Sequence, residues 1–366
     1  MERIFYLPFS QFPGIGPHKL RFLIKHFGSA KKAYSAKQND LAKIIGEITS
    51  AKFDEFRSKF DIKKYEESLK KQKISYVCLF EESYPGSLKQ IPNPPILLYI
   101  KGDKALLEQT NKLENVGMIA IVGTRKMTSY GQEATDLFAS NLTQAGFIIV
   151  SGMALGVDGQ AHKSCLEAGG KTIAVLGSGV DLPFPPTNKY IYDRILKSGG
   201  AIISEFPPGE QPSKGTFPSR NRIIAGLSQA VLVTQGAEDS GSVITANFAI
   251  QFGRPVFAVP GPITSSLSKG PNDLISKGAK LVSDPKDILK ELGITGRKST
   301  TGITGKEFGG LTKDEKRITE LLGRETLPFD EIAKRLKIKT SKLGTTLSMM
   351  EINGIIKNRG GEYALA

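Results

Sequence analysis

Seven short apolar runs between residues 118 and 282, most of them leading into glycine or serine, limit this chain to very few folds. They lie at 118–122, 147–150, 172–176, 201–204, 230–234, 255–259 and, less regularly, 280–282. The stretches between them carry a helical period. In GQEATDLFASNLTQAG (131–146), Ala134, Leu137, Phe138 and Leu142 fall on one helical face, and Gly146 follows where a C-cap belongs. Strands alternating with helices at this spacing predict a Rossmann-like α/β fold, a parallel sheet with helices on both faces. Ligands of such sheets bind beyond the carboxyl ends of the strands.

The loops expected at those ends are VGTRKMTSYG (122–131), VSGMALGVDG (150–159), LGSG (176–179) and TQGAEDSGS (234–242). Gly/Ser loops feeding helix N-termini offer free N–H groups and a helix dipole to an anion. The usual nucleotide signatures are missing. No loop reads G-x-G-x-x-G, and GGKT at 169–172 has Cys165 where a P-loop needs glycine and precedes a strand instead of following one.

The segment KGTFPSRNRIIAGLS (214–228) is the most informative. Pro218 suits a first helical turn, and Arg220, Asn221 and Arg222 crowd the electropositive helix start, an unfavourable arrangement unless an anion arrives. A base stacked on Phe217 with phosphates on the arginines would satisfy single-strand binding. Alternatively, Arg220 or Arg222 pairs with a carboxylate such as Glu205 or Asp239, and Phe217 is core. Two positions apart on a helix, the arginines diverge by about 200°, so one is expected to serve a ligand and the other the structure.

No catalytic set assembles. Asp158 and His162 stand four apart on one helical face, where a capping or orienting hydrogen bond is expected, and Ser151 and Ser240 have no histidine near them in sequence. Three separate histidines and two distant cysteines, Cys78 and Cys165, make no closed zinc site. Neither a metal nor a cofactor nor enzymatic activity is expected. The net charge is +14, of which residues 1–84 carry +6 and residues 295–366 carry +5. Such a balance favours polyanion partners, although lysine-rich faces also simply keep small domains soluble. No apolar run approaches a membrane span, MERIFYLPFS lacks a signal-peptide pattern, and two cysteines fit a reducing interior. A cytoplasmic protein is expected.

Taken together, IVGTRKMTSYG, VSGMALGVDGQAH, GGKTIAVLGSGVD, FPSRNRIIAGLS, SGSVITANFAIQFGRPVFAVPG and GPNDLISKGA make residues 118–283 resemble the DNA-processing protein A family, DprA or Smf. The resemblance implies a non-enzymatic domain that binds single-stranded DNA, loads RecA recombinase onto it during natural transformation or recombination, and dimerises. It implies DNA contacts at Arg125, Ser151, Gly152, Lys214, Phe217, Arg220, Asn221 and Gly241; Gly123, Thr124, Arg222 and Ser240 complete the candidate set. Thr124 stands where the family often has serine, and Gln235 where it often has glutamate.

The flanks read as small DNA-binding modules. FPGIGPHKLRFLIKHFGS (12–29) resembles a helix-hairpin-helix, with Gly14 and Gly16 in the turn, Lys19 and Lys25 near phosphates, and Leu20, Leu23, Ile24 and Phe27 packing inward; a hairpin that has lost its DNA contact is the other reading. Residues 312–366 read as a winged helix whose third helix offers little for reading base edges. Expected boundaries are a helical domain at 1–80, the α/β domain at 81–294, a Gly/Ser/Thr-rich linker at 295–311 and the winged helix at 312–366. A nucleotide-processing enzyme on a related scaffold and a winged-helix transcription regulator are the alternatives. Against the first, no P-G-G-x-G-T-x-x-E segment follows a strand; against the second stands the weak third helix.

Overall fold

Along the apolar run Met118–Val122, side chains alternate between two cores: Met118, Ala120 and Val122 enter one, Ile119 and Ile121 the other. A strand buried on both faces needs this near-continuous apolar sequence, and parallel sheets supply the burial. The structure is a computed structural model that describes residues 2–108, 117–294, 312–323, 325–352 and 355–365. The expected linker at 295–311 lies outside the described residues. The chain divides into two compact units, residues 1–297 and 298–366.

The first unit opens with helices α1 (Tyr6–Gln11), α2 (Pro17–Phe27), α3 (Ala30–Ser35), α4 (Gln38–Ile45), α5 (Glu47–Lys59) and α6 (Ile62–Lys71). Strands β1 (Ile74–Cys78) and β2 (Leu97–Gly102) follow, with the short helices α7 (Gly86–Lys89) and α8 (Ala105–Glu108) after each. Then come β3 (Met118–Val122), α9 (Ser129–Gln144), β4 (Ile148–Ser151), α10 (Val157–Glu167), β5 (Thr172–Val175), α11 (Lys189–Lys197) and β6 (Ala201–Ser204). The remainder is α12 (Thr216–Leu227), β7 (Ala230–Val233), α13 (Gly241–Gln251), β8 (Val256–Ala258), α14 (Lys269–Ser276), β9 (Lys280–Leu281) and α15 (Pro285–Glu291).

The described strands of this unit form one nine-stranded sheet in the order β1-β2-β6-β5-β4-β3-β7-β8-β9. From β6 to β9 every pairing is parallel; β1–β2 and β2–β6 are antiparallel. This antiparallel edge was not expected. The proline-rich stretch 81–95, which reads as a domain boundary, instead connects β1 to β2, so the sheet begins at Ile74. The N-terminal helices share a core with it: Phe9, Leu20, Leu23 and Phe53 pack in one cluster with Leu97, Tyr99, Ala174 and Ile202. Helices α12, α13 and α14 cover the opposite face through Ile223, Ile224, Ala246, Ala249 and Leu274.

Chain order reverses between β3 and β7. From β3 the sheet grows one way through β4, β5 and β6, and the other way through β7, β8 and β9. Helices leaving neighbouring strands there diverge to opposite faces and leave a crevice at the carboxyl ends.

In the second unit, α16 (Lys313–Leu322), α17 (Phe329–Leu336) and α18 (Thr340–Ile352) pack around Ile318, Ile332, Leu343, Leu347 and Met350. Strands β10 (Leu327–Pro328), β11 (Ile356–Arg359) and β12 (Glu362–Leu365) pair in the order β10-β12-β11. Gly360 and Gly361, at φ 64° and 96°, close the β11–β12 turn, since a two-residue hairpin turn wants positive φ at both places. This is a winged helix, as its sequence predicts. No helix among the described residues is long and apolar enough to cross a membrane.

Candidate nucleic-acid interface

The crevice at the switch point has a volume of about 390 Å³ and is walled by the loops after β3 and β7 and the first turns of α10, α12 and α13. Because β3, β4, β5 and β7 run parallel, all four glycine-rich loops emerge on one rim. The β3 loop is fixed by its backbone: Thr124 N–H donates to the Gln235 carbonyl at 2.7 Å. The Gln235 side chain accepts from Thr128 N–H at 2.9 Å and donates to Thr128 Oγ1 at 2.8 Å. A neutral amide thus both donates and accepts here, which accounts locally for the glutamine.

Of the residues expected from sequence, Gly123, Thr124, Arg125, Phe217, Arg220, Asn221, Ser240 and Gly241 line the crevice. Arg125 is exposed and its guanidinium lies over the Phe217 ring, 5.3 Å from the centroid. Lys126, which sequence reasoning passed over, is exposed on the same wall. Lys214 is exposed in the turn entering α12. Among the described residues, none of these three cations has a carboxylate within ion-pair distance, whereas some exposed lysines of the helices, such as Lys43, Lys59, Lys189 and Lys269, do. Ser240 caps α13, accepting from Ser242 N–H at 3.3 Å. The α12 helix begins at Thr216, so Phe217 projects from its first turn, not from the loop before it.

Arg222 serves the structure through Glu205, one of the pairings expected from sequence, but the expectation that the other arginine is left for a ligand is not met. Neither Arg220 nor Arg222 is left open to a ligand. Arg222 pairs with Glu205, and both side chains are largely buried. Arg220 is only 4% exposed. It donates to the carbonyls of Gly152 and Val175, and through Nε to Asn221 Oδ1 at 3.1 Å. It therefore ties the carboxyl ends of β4 and β5 to the start of α12. Burial brings its guanidinium down to about 10, against the opposing charge of Asp158. Gly152 has no side chain because the Arg220 guanidinium fills that space; a Cβ there would collide with it. Asn221 Nδ2 donates to the Gly241 carbonyl at 3.1 Å, joining α12 to α13.

The remaining polar candidates are engaged internally. Ser151 is fully buried and donates to the Ile121 carbonyl at 2.6 Å. Asp158 accepts from Gly152 N–H at 3.1 Å; burial pushes its carboxyl up, opposed by Arg220. His162 Nδ1 bonds Thr172 Oγ1 at 2.7 Å, and burial, assisted by the Arg220 charge, holds the imidazole down to about 3.

The helical hairpin has a different character. Lys19 and Lys25 are exposed, and Lys19 Nζ donates to the Gly14 carbonyl at 3.2 Å. Leu20 and Leu23 are buried, with Ile24 and Phe27 half-buried, giving the expected packing face. Gly16 borders a separate cavity of about 300 Å³ whose wall includes the exposed Glu210, a carboxylate that repels a phosphate.

The sequence pattern of the family described as DNA recombination-mediator protein A matches residues 75–293, and that of the DprA winged helix domain matches residues 309–362. The chain is 41% identical to the DNA processing protein DprA of Bacillus subtilis over 61% of this chain and 73% of that one. It is 37% identical to the protein Smf of Escherichia coli over 77% and 75%. Among solved structures, DNA processing protein A from Streptococcus pneumoniae matches with a TM-score of 0.69 at 34% identity, covering 79% of this chain and 97% of that one. The Helicobacter pylori DNA processing protein A, solved for its single-stranded DNA binding mode, matches with a TM-score of 0.53 at 32% identity, covering 60% and 96%.

Proposed function

The chain belongs to the DNA recombination-mediator protein A family, and from that membership we propose that it binds single-stranded DNA in the switch-point crevice, without sequence preference and without altering it chemically. The observation that carries this reading is the Arg125 guanidinium over the Phe217 ring at the crevice wall. An aromatic face for a base, beside cations with no carboxylate partner, is what a sequence-tolerant single-strand site requires. Lys126 and the capped start of α13 add positive potential along the same wall. The engagement of Ser151, Asp158 and His162 in buried hydrogen bonds supports a non-enzymatic role. The family's description as a recombination mediator supports delivery of the bound strand to RecA recombinase, in natural transformation or recombination. We place the protein in the cytoplasm, acting as a homodimer.

Titration of a labelled oligothymidine by fluorescence anisotropy, repeated at several salt concentrations, tests the reading. The single strand binds more tightly than a duplex of the same length. Neutralising about three to five phosphates gives a log–log salt slope of roughly −2 to −4. Arg125→Ala and Lys214→Ala each flatten that slope by roughly 0.7. Unchanged affinity and slope in both variants overturns the crevice as the binding site.

A further inference from the structure

Phe184 has an aromatic ring 41% exposed at the same rim, its centroid 5.9 Å from that of Phe217 with the planes tilted by 39°. Its loop is firmly held. Leu182 N–H donates to the Gly179 carbonyl at 3.0 Å, and Ser178 Oγ donates to the Leu182 carbonyl at 2.9 Å. Asn188 Nδ2 donates to the Met153 and Ala154 carbonyls at 2.9 and 3.1 Å. The ring is thus presented by a fixed loop tied to the β4 loop, and it is left facing solvent although the core lies close by.

Resting on the single-strand reading above, we propose that Phe184 is a second base-stacking platform, extending the strand's path from Phe217 across the end of β5. The two rings are too close to clamp a base between them, which takes two contact layers of roughly 3.5 Å each. Each therefore offers a separate face. Arg125 already lies over Phe217, and the more exposed aromatic surface of the pair belongs to Phe184. Stacking is sequence-tolerant because every base has a π-face, so a second platform lengthens the contacted strand without conferring sequence preference.

The test compares the full chain with Phe184→Ala, Phe184→Leu, Phe217→Ala and the Phe184→Ala/Phe217→Ala double variant. Each is titrated with an oligothymidine and with an abasic strand of equal length. Phe184→Ala is expected to weaken oligothymidine binding about five- to hundredfold, with the salt slope and the abasic affinity unchanged. Phe184→Leu, which keeps apolar packing against Phe217 but has no π-face, is expected to lose as much. The double variant binds more weakly than Phe217→Ala by a similar factor. Wild-type affinity in Phe184→Leu, or no further loss in the double variant, reduces Phe184 to a support for Phe217 and overturns the inference. If Phe217→Ala loses affinity and Phe184→Ala does not, only this inference falls. If neither does, the crevice reading falls with it.

Discussion

Arg220→Met unfolds at a lower urea concentration than the parent chain, with a loss of about 3–5 kcal/mol, while the salt slope of its single-strand binding is unchanged. Four groups lose the guanidinium together, Asn221 Oδ1 among them. The Gly152 and Val175 carbonyls at the ends of β4 and β5 are left buried without a donor, and Asp158 is left without the cation that opposes its desolvation. Each orphaned buried acceptor costs about 1–3 kcal/mol, and removing one charge of a buried set typically costs 3–5 kcal/mol. Methionine fills the space but supplies none of this. Urea unfolding at neutral pH and anisotropy titrations on the folded variant check both halves. A stability change below about 0.5 kcal/mol together with a slope flattened by roughly 0.7 would place the guanidinium on the DNA instead.

Phe217→Ala has the opposite signature. Single-strand affinity falls by about 1–3 kcal/mol, the salt slope holds, and the unfolding midpoint changes little. The ring is half-buried, at the open end of the crevice, with Arg125 over it and Phe184 beside it. It contributes surface to a ligand more than to the core, so its removal leaves no enclosed void. A thermal melt run in parallel separates the two roles. Full affinity in the variant, or a loss that vanishes after correction for unfolded protein, assigns Phe217 to the core.

The contrast between these residues shows how far sequence reaches. The strands at 118–122 and 201–204 coincide with β3 and β6 because a strand buried on both faces has to be apolar throughout. Strands β1 and β2 were missed for a related reason. ISYVC and LLYIKG flank a proline-rich stretch, and prolines mark a chain that leaves regular structure without saying whether it returns to the same sheet. At the site, the glycines were legible as places of close approach but not by what. At Gly152 the approaching group is a protein guanidinium, and only the folded chain brings residue 220 against residue 152. Helix periodicity shows that Arg220 and Arg222 diverge; it does not show that carboxylate and carbonyl partners wait on both sides. Lys126 was readable beside Arg125 in VGTRKM, and Phe184 as an aromatic stranded in the loop LPFPPTN, where loop aromatics are disproportionately functional.

Amide hydrogen exchange with and without saturating oligothymidine tests the central claim most directly, because it reports where along the chain the strand lies. Protection is predicted at 123–128, 214–217 and 240–243, the β3 loop and the segments that open α12 and α13 beside the crevice, with the 14–19 turn unaffected. Protection confined to that turn or to the winged helix, with the crevice amides exchanging as before, would contradict the account.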